Sequence, residues 1–428
     1  MYSLSQTLRR AALVNRHGIA TRFEGRSFTW AETLERVQRI AGALARAGVE
    51  PGDRVAILGT NSDVYLQCLF AIPWAGGIAV PINMRLAPPE IVYCLNDSGS
   101  RVLLIDDEFA GIIPELQRSA PSVEKIVRLG ESSATPEILS LDEITADCPP
   151  IEDRGRGGKD IVALYYTGGT TGRAKGVILT HEGFLVNVLQ WALAIGVSRR
   201  DILLIIAPMF HLVGGLNAVA NAVFAAEACI MRKFSAADVV KTIADSGATN
   251  TALVPIMVDA VVGYLTEHPT DLPTLETISY GGAPMTEVAL KRAMRALPNT
   301  RFCQVYGQTE GGPNISVLDP EYHALEGERA GKLRSAGQPI PGTEVTVLDE
   351  DDHPVRPGKV GEICVRGLTI SPGYWNLPEL TAEAQRGGWL HTGDAGYLDE
   401  DGFLFIVDRT KDVIITGGET CTPPKWKT

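Results

Sequence analysis

Tyr165-Tyr166-Thr167-Gly168-Gly169-Thr170-Thr171-Gly172-Arg173-Ala174-Lys175-Gly176 is the stretch on which the reading of the chain turns. It is entered from the apolar run Ile161-Val162-Ala163-Leu164 and left through Val177-Ile178-Leu179-Thr180-His181. Four glycines, three threonines and two cations put free backbone N–H groups, hydroxyls and positive charge into one short loop. That is the donor set a polyphosphate needs. Two apolar runs about a Gly-rich turn also spell a β-hairpin. Hydroxyls and Lys175 are surplus to a hairpin and point to phosphate. The loop is not of the Walker A type, because Ala174 precedes Lys175 and Gly176 stands where Ser or Thr would hold magnesium.

Upstream of the loop the chain alternates helix and strand. Thr29-Trp30-Ala31-Glu32 is a capping box, followed by Leu34, Val37, Ile40, Ala41 and Leu44 at helical spacing until Gly48. A strand over 54–58, a helix over 63–75, a strand over 78–80, a helix from Pro88 and a strand over 102–105 come next. Residues 130–158, rich in Ser, Pro, Asp and Gly, read as a surface connection. Downstream, strands over 202–206, 228–231, 251–254 and 277–280 alternate with helices over 235–246 and 256–266, and Gly214-Gly215 reads as a turn. From Gly337 the texture changes to short strands over 344–348, 361–366 and 403–407. The expected fold is α/β: two parallel helix-covered sheets, over residues 1–160 and 161–336, with a small β-rich subdomain over 337–408.

The 428 residues exceed one compact core and call for two or three packed units. A net charge of −12 argues against nucleic acid or an anionic membrane surface as partner. An anionic ligand must therefore be held by local groups. The seven cysteines form no CxxC pair, which fits reduced thiols and a cytoplasmic location. No apolar run approaches the ~18 residues of a membrane span.

Four further stretches carry chemistry. Tyr306-Gly307-Gln308-Thr309-Glu310 supplies an aromatic ring, a hydroxyl and a carboxylate, and by itself is an ordinary loop around a buried Tyr. Thr392-Gly393-Asp394 offers one carboxylate in what reads as a tight turn, able to accept from a diol. Asp408-Arg409-Thr410-Lys411-Asp412 packs charges after a strand and reads as a solvated exit or a hinge. Pro208-Met209-Phe210-His211 sets an imidazole beside an aromatic, where a lone His is more often a satisfied core residue than a catalyst. The motifs GxSxG and HExxH are missing.

In this order the pieces resemble the adenylate-forming superfamily of acyl-CoA synthetases, luciferases and peptide-synthetase adenylation domains, over nearly the whole chain. The loop resembles the family's Y-T-S-G-T-T-G-x-P-K-G, Tyr306 to Glu310 its Y-G-x-T-E, and Thr392 to Asp394 its T-G-D. Residues 408–412 resemble the hinge, and Gly417-Gly418-Glu419 the loop beyond it. Pro208 to His211 and Gly281-Gly282-Ala283-Pro284-Met285 look most like fatty-acyl and aryl-CoA ligases.

The resemblance implies that a carboxylic acid attacks ATP to give acyl-AMP, after which CoA displaces AMP. It implies phosphate contacts from Thr167, Gly168, Gly169, Thr170, Thr171, Gly172 and Lys175. Tyr306 and Gly307 would meet adenine, Thr309 the α-phosphate, and Asp394 and Arg409 the ribose. Gly281, Gly282 and Ala283 would line the acyl and adenine walls. Glu310 and Thr167 would hold Mg2+, and His211 would sit by the acyl carboxylate. Thr170, Lys175, His211 and Glu310 form the implied catalytic set. Partners are the acid, ATP and CoA, with room for a homodimer. A carrier-protein acceptor, or a nucleotide-binding protein without turnover, are the alternatives.

Two loop positions depart from the pattern: Gly168 stands for Ser and Ala174 for Pro. The family's mobile C-terminal domain is expected to be essentially absent, with a hinge at 409–412 and a remnant over 413–428. Deleting one A from the Asn codon of GAG AAC GTG TAC CCC ACC GAA GTG GAA AAC, which encodes a family-like continuation, gives the tail Glu419-Thr420-Cys421-Thr422-Pro423-Pro424-Lys425-Trp426-Lys427. A single-base deletion is therefore expected in the DNA, and with it a ligase impaired by loss of the C-terminal domain: able to bind ATP and acid, slow in adenylation and nearly inert in thioester formation.

Overall fold

A computed structural model describes residues 2–130, 138, 140–168, 173–409, 414–416 and 419–421, with backbone alone for 408, 409, 414–416 and 419–421. The expected tail beyond Cys421 and most of the hinge lie outside the described residues.

One sheet has six strands in the order Lys125–Arg128, Ser100–Ile105, Arg54–Leu58, Ile78–Pro81, Ile161–Thr167, Lys175–Thr180. All pair parallel except the last, which turns back antiparallel on Ile161–Thr167. The larger sheet has nine strands, with a parallel run from Arg301–Gln308 through Thr277–Gly281, Asn250–Leu253, Ile202–Ile205 and Glu227–Ile230 to Ile19–Phe23. Antiparallel strands close both edges. The strands Thr343–Leu348, Gly361–Gly367, Leu390–Leu398 and Leu404–Arg409 form a separate antiparallel sheet of four. The α/β class with a β-rich subdomain is thus the observed one.

The sheets do not divide at residue 160, as the sequence reading expects. Ile161–Thr167 joins the first sheet through Ala79↔Ala163, and Ile19–Phe23 joins the second through Thr21↔Ala228. Order along the chain does not reveal which sheet a strand completes; its ladder partners do. Val162, Ala163, Leu164 and Tyr165 are all buried, as the fully covered strand of a parallel array should be. The early hairpin turns on Glu24 and Gly25, both at positive φ of 46° and 81°, the backbone of a type I′ turn. Arg232 then grips the Glu24 carboxylate with two bonds of 2.8 Å.

Three local expectations change. Gly214 and Gly215 lie inside a helix, Leu212–Phe224, and not in a turn. They are glycine because a Cβ at 214 would stand 2.1 Å from the Pro208 carbonyl oxygen, and one at 215 would stand 2.1 Å from the Tyr165 hydroxyl. The connection 130–158 contains a helix, Leu141–Ala146, with a Ser140–Glu143 capping box. Buried Cys148 follows two residues after the helix, and its carbonyl accepts from Arg39 at 3.1 Å. Thr392-Gly393-Asp394 sits within the strand Leu390–Leu398. The register shifts on both sides of it, and Gly393 takes φ +73°, so a bulge supplies the bend that looked like a turn.

The helix Trp30–Arg46 carries its capping box as read, with the Glu32 carboxylate accepting from the Thr29 amide at 2.7 Å. The helix Asp63–Trp74 is buried along its entire length between the layers.

Candidate active site

Thr167, Gly281 and Gly307 lie at the carboxyl ends of strands in the two parallel arrays, where open α/β sheets place ligands, while Asp394 and Arg409 lie on the separate antiparallel sheet. Thr167 and Lys175 face each other across the hairpin. The hairpin ladder thus fixes both ends of the Gly/Thr stretch, at Thr167 and Lys175. Gly169, Thr170, Thr171 and Gly172 lie outside the described residues, and Gly168 is exposed.

A strap over residues 369–376 runs along the exit strand Lys175–Thr180 and holds it. The Ile178 amide donates to Gly373 at 3.0 Å and the Trp375 amide to Gly176 at 2.8 Å. Gly176 is buried with Tyr166 and Trp375 on either side, 3.1 and 3.3 Å from where a Cβ would stand. The Tyr166 hydroxyl donates to the Asp97 carboxylate at 2.7 Å, and the Trp375 indole donates to the Asp97 carbonyl at 3.2 Å. Burial, then Asp97, pushes the Tyr166 hydroxyl pKa up, so that group stays a donor.

Glu310 lies in the 3-10 turn Thr309–Gly311 that follows the strand Arg301–Gln308. Its Oε1 accepts from the Tyr374 hydroxyl at 3.0 Å and from the Thr167 hydroxyl at 3.4 Å. The Lys175 ammonium stands 4.7 Å from the centre of the Tyr374 ring. Desolvation, then the charge of Glu310, raises the Tyr374 pKa and keeps its proton available for the carboxylate. The Ser371 amide closes the cluster on the Glu310 carbonyl at 2.8 Å. Tyr374 is a residue the sequence reading misses. Its signal was the aromatic pair Tyr374-Trp375 directly behind Pro372-Gly373.

A second cluster joins Tyr306 and Asp394, both buried, through a hydrogen bond of 2.7 Å from the Tyr306 hydroxyl to Asp394 Oδ2. The bulge that presents Asp394 is built by its own neighbours. The Thr392 hydroxyl donates to the Ile363 carbonyl at 2.7 Å and accepts from the Asp394 amide at 3.1 Å. The Gly393 amide donates to Glu362 Oε1 at 3.0 Å. Arg409 stands directly across the ladder from Asp394.

Gly281 pairs with Val305, and a Cβ there would stand 2.2 Å from the Val305 carbonyl oxygen. Gly282 follows at φ +76°, with half-buried Ala283 next. A Cβ at Gly307 would meet the Pro313 carbonyl carbon at 2.5 Å. These glycines let backbone approach backbone between two strand ends. Thr309 is half-buried at the head of the 3-10 turn. His211 is the N-cap residue of the helix Leu212–Phe224, half-buried, with its ring 4.5 Å from that of Phe210. The Asn61 side chain holds the preceding turn, accepting from the Met209 amide at 2.8 Å.

Beside that turn opens a cavity of about 350 Å³. Phe210, Phe234 and Met257 give it apolar wall, and Arg85, Arg232 and Lys233 give it positive charge. The Glu310 carboxylate, with the Thr167 hydroxyl beside it and the Tyr374 hydroxyl orienting it, offers oxygen donors of the kind that fit a hard divalent cation such as Mg2+.

The model of the AMP-binding enzyme family matches residues 4–375, and the chain belongs to that family, within the adenylate-forming superfamily. It is 38% identical to the fatty acid–[acyl-carrier-protein] ligase ScoC of Streptomyces coeruleorubidus, over 94% of this chain and 76% of that protein. It is 36% identical to a feruloyl-CoA synthase of Amycolatopsis, over 97% of this chain and 80% of the relative. Among solved structures, it resembles the inhibitor-bound N-terminal domain of FACL13 from Mycobacterium tuberculosis, with a TM-score of 0.88 and 30% identity. That match covers 96% of this chain and all of the other. Among the described residues, no helix is long and apolar enough to cross a membrane.

Proposed function

We propose that the protein activates a fatty or aromatic carboxylic acid with ATP and transfers the acyl group to the thiol of CoA. The observation that carries this reading is the meeting of Glu310 with Thr167 and Tyr374, beneath Lys175, at the mouth of the Gly/Thr loop. In the first step an acid oxygen bonds to the α-phosphorus and pyrophosphate leaves. In the second the thiol sulfur bonds to the acyl carbon and AMP leaves. Two anions must be brought together in the first step, so placed donors and positive charge matter more than a strong base.

Lys175 and the loop hydroxyls, Thr170 and Thr171 included, take the β- and γ-phosphates, and Thr309 takes the α-phosphate. Asp394 accepts from the ribose hydroxyls, with Arg409 opposite it. Tyr306 holds Asp394 by its hydroxyl and offers its ring to adenine, while Gly281, Gly282, Ala283 and Gly307 keep the walls thin. His211, at the head of its helix, faces the acid's carboxylate. Glu310 and Thr167 would hold Mg2+, which supplies charge neutralisation on the phosphates. The basic and apolar cavity beside Phe210 suits the phosphates and the apolar arm of CoA. Six described cysteines are free and buried, in keeping with the reducing cytoplasm we assign to it.

The acyl-carrier-protein ligase among the relatives makes the acceptor the part of the proposal most in need of a test. Purified protein with ATP and a panel of fatty and aromatic acids is offered CoA or a phosphopantetheinyl carrier protein. Acyl-CoA formation supports the proposal; transfer to the carrier protein alone rejects CoA as acceptor.

A further inference from the structure

Glu362, Cys364 and His391 lie behind the bulge that presents Asp394, on neighbouring strands of the four-stranded sheet, and their ligand atoms all fall within 4.8 Å of one another. Two groups aim at one nitrogen: His391 Nδ1 is 2.8 Å from Glu362 Oε2 and 3.3 Å from Cys364 Sγ. The imidazole side chain is only 4% exposed and Cys364 is fully buried, whereas the Glu362 side chain is 24% exposed and opens the cluster to solvent. With the ring proton on Nδ1, donated to Glu362, the buried Nε2 is left without a hydrogen-bond partner. A buried polar atom left unpaired costs about 1–3 kcal/mol.

We propose that Glu362, Cys364 and His391 bind a thiophilic divalent cation, Zn2+ in the first instance. Carboxylate oxygen, thiolate sulfur and imidazole nitrogen form a donor set typical of zinc. Zn–N and Zn–S bonds of about 2.0 and 2.3 Å at tetrahedral angles need N···S near 3.6 Å and N···O near 3.4 Å. The observed 3.3 and 2.8 Å therefore require the sulfur to move outward by about 0.3 Å and the carboxylate oxygen, on its longer and more exposed side chain, by about 0.6 Å. Water completes the fourth position.

Binding also gives the orphaned nitrogen a proton to offer. The metal takes Nδ1, the ring proton moves to Nε2, and Asp352 Oδ1, 3.9 Å away, needs to close by about half an ångström to accept it, as the carboxylate partner that metal-bound histidines commonly have. The charges close as well. Arg386 sits against both Asp352 and Glu362, so two carboxylates oppose one guanidinium and leave a net negative charge. A divalent ion that releases the Cys364 thiol proton to solvent brings the cluster to neutrality. Because Glu362 also receives the Gly393 amide, an ion here stiffens the bulge behind Asp394.

Co2+ is the spectroscopic probe for Zn2+ in the 428-residue protein. Titration should give one equivalent bound, with a thiolate-to-cobalt charge-transfer band that Zn2+ bleaches and that Cys364→Ser and His391→Asn abolish. Absence of the band in the wild-type protein, or its survival in Cys364→Ser, overturns the proposal. If those two buried variants fail to fold, Glu362→Gln and Asp352→Asn serve in their place. Each should bind Co2+ at least tenfold more weakly with far-ultraviolet circular dichroism unchanged. Unaltered affinity in both overturns it.

Discussion

The Tyr374 hydroxyl donates to Glu310 Oε1 at 3.0 Å, and the same ring lies under the Lys175 ammonium at 4.7 Å. One tyrosine therefore positions both the carboxylate and the cation on which the phosphate chemistry of our reading depends. A hydrogen bond to a charged group contributes about 1.5–3 kcal/mol. Tyr374→Phe keeps the ring and loses the donor, and should lower acid-dependent turnover of ATP roughly tenfold. Assays of turnover at saturating acid check it. Full activity in Tyr374→Phe would remove the tyrosine from the site.

Asp394 is held by Tyr306 within a bulged strand, so its charge and its position can be separated by mutation. Asp394→Asn keeps the shape and loses the ionised acceptor, and its Kd for AMP should rise at least tenfold, about 1.4 kcal/mol. Tyr306→Phe frees the carboxylate from its holder and should cost less. Isothermal titration with AMP ranks the two, and the reverse ranking would contradict the assignment of the ribose to Asp394.

Gly215 answers chiefly to one side chain, Tyr165. A Cβ there meets the Tyr165 hydroxyl at 2.1 Å, so Gly215→Ala should destabilise by about 1–3 kcal/mol despite the better helix propensity of alanine. Tyr165→Phe removes the obstructing oxygen, at the loss of a long 3.4 Å bond to the Met209 carbonyl. The double variant should regain most of the lost stability. Additive losses in chemical denaturation would show that the clash lies elsewhere.

Two histidines make stability depend on acid. Burial lowers the pKa of His181 and His323 to about 4, and each is committed to a neutral role. His181 Nδ1 accepts from the Leu4 amide at 3.3 Å, and His323 lies between the Tyr280 hydroxyl and the Asp319 carbonyl. The unfolded chain binds these protons near pH 6.5 and the folded chain only near 4, so stability falls as pH drops through that window and levels off below it. The contribution is on the order of 3 kcal/mol for each group. Denaturation midpoints from pH 7.5 to 4 check it, and His323→Gln should flatten the slope whatever it does to the level at pH 7.

Much of this was legible in the sequence because the relevant patterns are local. The Thr29 capping box, the alternation of strands and helices and the hairpin ladder that ends at Thr167 and Lys175 all state their structure within a few residues. What was not legible is long-range or apolar throughout. The helix His181–Ile195 buries residues on most of its circumference, so it shows no polar face to betray its period. Gly214-Gly215 looks like a turn until Tyr165 and Pro208 are seen to crowd it. Asp394 looked like part of a turn because a bulge uses the same glycine. Tyr374 left only a faint mark, the aromatic pair behind Pro372-Gly373, since its meaning lies in Glu310 and Lys175, both distant in the chain.

The central claim is that this chain joins an acid to the α-phosphate of ATP at the Glu310–Lys175 site. Exchange of labelled pyrophosphate into ATP by the 428-residue protein tests it most directly. We expect exchange that depends on added fatty or aromatic acid and on Mg2+, and that falls at least a hundredfold in Lys175→Ala or Glu310→Gln. No acid-dependent exchange with any acid, or exchange undiminished in both variants, would contradict the account.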